Sequence, residues 1–174
     1  MDSWKYPIGE FEPPAANADA EQRQRWIDEL ASVPEELRRA IEGLGDEQLD
    51  TPYRPGGWTP RQVAHHLADA SLNGYMRVKL ALTEDAPPIK PFEEAAWAAL
   101  PDSKLPLAPS LALISGLYER WLTLLRSMSE TDYARTFVHP ASGPWTLDKA
   151  LAFFAWHGRH HVAQIVSLRE RSGW

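Results

Sequence analysis

The 174-residue chain contains no cysteine. That excludes disulfide frameworks, CxxC redox chemistry, cysteine-ligated zinc and a cysteine nucleophile, and it leaves His, Asp and Glu as the side chains able to hold a metal. Long apolar runs are missing too: no window approaches the ~18 uninterrupted apolar residues of a membrane span. The first residues, MDSWKYPIGEFEPP, lack a basic stretch followed by an apolar one. These absences set the expectation of a soluble, cytoplasmic protein. Basic charge is scarce, with 18 Lys and Arg against 24 Asp and Glu and a formal net charge of -6. The cations are scattered singly and offer no footprint for a phosphate backbone or an anionic membrane, so neither nucleic acid nor membrane is an expected partner.

What is present is tryptophan, eight in all, whose bulk suits a core, a small-molecule pocket or a subunit interface. The length fits one domain with a full core, residues 1–174. Residues 1–18, rich in Pro and polar groups, read as an extended arm over the surface. From Ala20 to Leu44 the apolar residues recur at helical spacing, with Pro34 expected to kink the helix or divide it. The next helix has a clear start signal, Thr59 as N-cap, Pro60 at the first helical position and Gln62 three residues after the cap, and runs to about Leu82. A proline-rich connection follows, with a short helix expected around Phe92 to Leu100. A third long helix is predicted over Ser110 to Met128. After the loop FVHPASGP, the fourth runs from an N-cap at Thr146 to about Arg171, with Asp148 favourable to the dipole of its first turn.

Four long helices without a convincing alternating run predict an all-α four-helix bundle. The long connection between the second and third can cross the full length of a ~30 Å helix, which permits up-down-down-up connectivity.

Helical spacing also sorts the histidines. At about 100° per residue, His66 lies about 60° from Val63 at the edge of the apolar stripe, while His65 points about 160° away and is expected outside. On the last helix His157 and His161 share one face a turn apart, as two ligands of one ion must. His160 falls on the flank and Arg159 on the far side. Gln164 sits beside the ligand row, where it could orient a ligand or a bound water. Three imidazoles from two helices match an open, catalytic metal site. The plainer reading is that HxxxH recurs on helices by chance and that a lone inward histidine is a hydrogen-bonded core residue.

The segments GGWTPRQVAHHLADA, GYMRVKLALTEDAPPIKPFEEAAW, YERWLTLL and AWHGRHHVAQI resemble the DinB superfamily, and specifically its YfiT-like branch of metal-dependent hydrolases. The resemblance implies a four-helix bundle of up-down-down-up connectivity and one divalent ion per subunit, zinc or nickel. It implies as ligands the histidine before a leucine, His66 before Leu67, and the HxxxH pair His157 and His161. It also implies a homodimer. His139, in the loop before the last helix, has no role by either route.

A divalent ion with open positions lowers the pKa of a bound water to about 7 or stabilises a thiolate there. Two reactions on a small-molecule substrate follow: hydrolysis, or transfer of a low-molecular-weight thiol, as in relatives resembling bacillithiol or mycothiol transferases. HExxH is absent, because Gly158 follows His157, which weakens a peptidase reading. Asp69 and Gln164 are candidates to assist through water, with a solvated helix face the plainer role for Asp69. Tyr75 and Arg77 are candidates for the pocket mouth, against packing and surface charge respectively. The competing class is a non-enzymatic bundle in which an ion serves folding or ligand binding, marked by a fourth protein ligand.

Overall fold

The computed structural model of the chain describes residues 3–15 and 18–174. Four long helices dominate: α1 (Ala20–Ile41), α3 (Pro60–Thr83), α5 (Ala108–Ser127) and α7 (Leu147–Ser172). Short helices α2 (Asp46–Leu49), α4 (Glu94–Trp97) and α6 (Glu130–Tyr133) and a 3-10 turn (Pro101–Lys104) lie in the connections. No helix among the described residues is long and apolar enough to cross a membrane.

The start of α3 forms as its residues dictate. Thr59 Oγ1 accepts from Gln62 N at 3.2 Å and the Gln62 side chain accepts from Thr59 N at 3.1 Å, a reciprocal capping box. Thr146 caps α7 through Lys149 N at 3.1 Å, and Gly173, at φ 72°, ends it in the left-handed region that glycine tolerates. Of the two outcomes expected at Pro34, division does not occur: α1 runs unbroken through it. The donor lost at proline is offset by a stripe of Ile27, Leu30, Val33, Leu37 and Ala40, all buried.

Each long helix packs on two others: α1 on α5 and α7, and α3 on α5 and α7. Side-chain pairs give the directions. On α3 and α5 the pairs His65 with Ser110, Ser71 with Tyr118 and Tyr75 with Trp121 advance together, so these helices are parallel. On α1 and α7, Arg23 pairs with Asp148 and Arg169 reaches the Ala40 carbonyl, again parallel. Between α3 and α7 the order reverses, with His66 beside His157 and Gly74 beside Phe154. The bundle is therefore up-down-down-up.

One feature departs from the expectation of helices alone. Thr136–His139 (β1) and Gly143–Thr146 (β2) pair antiparallel before α7. Pro140 and Pro144 interrupt the run in sequence, which hides the alternation. The hairpin is also tied to the α3–α5 connection, since Ile89 N donates to the Val138 carbonyl and Val138 N to the Pro87 carbonyl, each at 2.9 Å.

Close approach of α1 to α7 depends on Gly158: a Cβ there would stand 2.6 and 2.9 Å from the two γ-carbons of Val33. Alanine would gain up to about 1 kcal/mol of helix propensity, but valine is stiff at χ1 and cannot yield. Overpacking of this kind costs about 1–3 kcal/mol and wins. Gly158→Ala is expected to lower stability by about 1–2 kcal/mol in urea unfolding, and much less in a Val33→Ala background; equal losses in both backgrounds would contradict the contact.

Candidate metal centre

His66 comes from the second turn of α3, and His157 and His161 from successive turns of α7. The antiparallel packing of these helices brings the three rings together, with one nitrogen from each within 4.8 Å of the others. His66 Nε2 and His157 Nε2 lie 3.3 Å apart. Two nitrogens each ~2.05 Å from a tetrahedral ion would be separated by ~3.3 Å, so this spacing fits one ion between them. All three residues are buried. Burial pushes the His66 imidazolium down to about 4. Burial and the neighbouring rings push His157 and His161 well below the usual range. The rings are thus neutral and keep a lone pair each, the form that binds a metal.

Gln164 settles the tautomer of His161. Its Nε2 donates to the Lys5 carbonyl at 2.9 Å, and a carbonyl can only accept. The amide oxygen therefore faces His161 and accepts from Nδ1–H at 2.9 Å. Nε2 of His161 is left with its lone pair. The same Gln164 nitrogen approaches Tyr53 Oη at 3.2 Å and His160 Nε2 at 3.0 Å. Trp58 lies against His66 with ring centroids 4.6 Å apart and stacks on His161 at 6.1 Å.

The other candidates separate. His65 faces away from the triad as its angle requires, but it is buried rather than outside. The α3–α5 connection covers it, and its nitrogens lie 2.7 Å from Ser110 Oγ and 3.0 Å from the Leu105 carbonyl. Asp69 is half-buried on the flank of α3; burial and Asp102 raise its pKa while His65 lowers it, so it faces the connection rather than the triad. Tyr75 packs on Trp121, against the α5 side of the bundle, so its expected place at the pocket mouth is not what the structure shows. His160 is buried against the Trp156 ring, its Nδ1 without a hydrogen-bond partner. Arg159 is on the far side, 3.0 Å from Glu29.

Arg77 does line a cavity. This space, about 240 Å³, opens on His157 and is walled by Phe92, Phe137, Trp145, Phe153 and Phe154, with Ala70 leaving room on α3. Its hairpin wall was invisible in the sequence because the strands were. The amino-terminal arm does more than cover the surface: Lys5 fixes Gln164, Tyr6 lies on the His160 ring, and Phe11 packs on Phe153.

The DinB superfamily matches residues 29–165. A Bacillus mycoides protein named "Putative metal-dependent hydrolase" is 51% identical over 174 residues, the whole of both chains. A Geobacillus thermodenitrificans protein of the same name is 52% identical, covering 100% of this chain and 98% of its own. Among solved structures, YfiT from Bacillus subtilis, described as "a probable metal-dependent hydrolase with an unusual four-helix bundle topology", superposes with a TM-score of 0.95 at 47% identity over 99% of each chain.

The depressed imidazole pKa values carry a pH dependence for the metal-free protein. Unfolded histidines take up protons below about 6.5, whereas folded His66 does so only near about 4. The unfolded state binds more protons across that window, so stability is full above it and is lost as pH falls through it. After chelation, the urea midpoint is expected to drop between neutral pH and about 5, and to drop less in His66→Asn. An unchanged midpoint over that interval would contradict the burial argument.

Proposed function

Because the chain belongs to the DinB superfamily, we propose that it is a metal-dependent enzyme acting on a small molecule, with His66, His157 and His161 holding one divalent ion, zinc or nickel. The observation that carries this reading is the convergence of three neutral, buried imidazoles beside a cavity that opens on His157. Among the described residues no fourth His, Asp or Glu joins the cluster. A closed structural site would have one, so the three-ligand set favours catalysis over a purely stabilising ion.

When bound, the ion would supply Lewis acidity, acidifying a water or thiol nucleophile and polarising an electrophile. The chain's own residues do the rest. Gln164 holds His161 in the tautomer that presents Nε2. Trp58 and Phe92 cover the His66 ring, and the aromatic walls of the cavity exclude bulk water.

The choice of nucleophile rests on proton accounting. Hydrolysis requires a water to surrender two protons in all and is helped by a base near the site. Asp69 faces away from the triad, and Glu94 is the carboxylate that lines the cavity. A thiol gives up one proton, its sulfur forms a bond to the electrophilic carbon, and the leaving group departs with its electron pair. This favours transfer of a low-molecular-weight thiol, with slow hydrolysis alongside. The second reading, hydrolysis as the main reaction, is supported by the names of the relatives above. The homodimer implied by the family resemblance and the expected cytoplasmic location are compatible with either reading.

Two measurements test this. Purified His66→Ala is expected to lose most of its metal by elemental analysis, and His65→Ala to keep it while losing about 1–3 kcal/mol of stability from two unmade buried hydrogen bonds. Equal metal in both variants would sink the ligand set. Metal-loaded protein incubated with a chromogenic electrophile, with and without bacillithiol, should form conjugate only with thiol present. Thiol-independent turnover without conjugate would leave hydrolysis.

A further inference from the structure

His66 and Arg77 are eleven residues apart on α3, which at about 100° per residue returns Arg77 to within about 20° of the same face. Helical side chains lean toward the amino terminus, so Arg77 reaches back along the groove toward the triad. It lines the cavity that opens on His157. Burial disfavours its charge, and Glu94, which lines the same cavity, supports it from a distance, with no hydrogen bond or ion pair to Arg77 among the described residues. A half-buried guanidinium has five donors to satisfy, and leaving them unmade is costly.

Two further donors face the same space. His139 Nδ1 accepts from Ala141 N at 3.2 Å, so the neutral ring carries its proton on Nε2. Burial, Arg77 and Lys149 all lower the His139 pKa and keep that ring neutral. Ser142 Oγ accepts from the Trp145 indole at 2.8 Å and retains its own O–H proton to give. Both residues line the cavity. The aromatic-walled space thus presents a guanidinium, an imidazole N–H and a hydroxyl as donors, beside the Glu94 carboxyl.

We propose that Arg77, His139 and Ser142 are the anion-binding end of this cavity, and that the molecule acted on at His157 is a small apolar or aromatic monocarboxylate. This rests on the proposed function, whose substrate class it names. A single guanidinium, with the Glu94 carboxyl lining the same cavity, balances one negative charge better than two, which favours a carboxylate over a phosphate. The planar fork of arginine matches a carboxylate in two parallel hydrogen bonds. The volume of about 240 Å³ is below the ~300–1,000 Å³ of drug-sized sites and limits the ligand to a compact molecule.

The test is calorimetric binding, with no turnover required, of phenylacetate, 3-phenylpropionate, their primary amides and benzylphosphonate, to metal-loaded and to chelated protein. At least one acid is expected to bind metal-loaded and chelated protein alike, about ten- to a hundredfold more tightly than its amide. Arg77→Gln should erase that preference while keeping its metal content and thermal midpoint. If Arg77→Gln does not fold, Arg77→Lys serves instead: it should weaken the acid but preserve acid over amide. No binding of either acid at millimolar concentration, equal binding of acid and amide, tighter binding of the phosphonate, or an unaltered Arg77→Gln would each overturn the proposal. Loss of binding on chelation alone, with Arg77→Gln unaffected, would place the anion at the ion and overturn it as well. Metal content, measured on the same samples, reports separately on the three histidines.

Discussion

Three imidazole rings can share one point only if none of them carries a proton too many. The bundle meets that condition by burying His66, His157 and His161. Burial disfavours the charged form of each ring, and the neighbouring imidazoles add to it at His157 and His161. The dry environment that keeps the lone pairs available also makes every unpaired polar group nearby costly. The surrounding contacts follow from that cost: a glutamine amide on His161, an indole face over His66, and a backbone carbonyl from the amino-terminal arm to fix the amide.

Bringing the rings together requires two helices to approach closely at the right height, and glycine makes that approach. A Cβ at Gly74 would meet the Phe154 ring at 2.5 Å, on the α3–α7 seam next to the triad. Gly158, between the two proposed ligands of α7, does the same against Val33 of α1. α7 is therefore gripped from both sides at the level of His157 and His161. At its amino-terminal end the buried pair of Arg23 and Asp148, 2.7 Å apart, holds it parallel to α1. Such a pair contributes less to net stability than its Coulomb attraction suggests, because both charges are desolvated. Its specificity is geometric, since a slip of one turn would strand two charges in the core.

Much of this was legible in the sequence. The TP start of α3, the N-cap of α7 and the 3.6-residue periodicity depend on local chemistry, and they placed the helices within a few residues. The facing of His66, His157 and His161 follows from angle alone. What escaped was non-local. His65 points away from the bundle axis, as its angle says, yet a connection dozens of residues later covers it. Pro34 does break one hydrogen bond, but the apolar stripe around it decides the outcome. The β1–β2 hairpin is too short and too rich in proline for alternation to reveal it. The amino-terminal arm has no periodicity, and its contribution, one carbonyl aimed at Gln164, has no signature in composition.

The hairpin is also what gives the proposed metal centre a cavity instead of open solvent. Two-stranded hairpins are marginal alone, and this one is held by the backbone bonds to Pro87 and Ile89 and by Phe137 in the core. It brings Trp145 onto Phe153, with ring centroids 5.5 Å apart, and sets His139 and Ser142 opposite the Arg77 face of α3. The triad could sit in any bundle whose helices approach this closely; the molecule that reaches it is selected by this wall. Chains that share the three histidines and differ between residues 136 and 146 should therefore share the metal chemistry and differ in substrate.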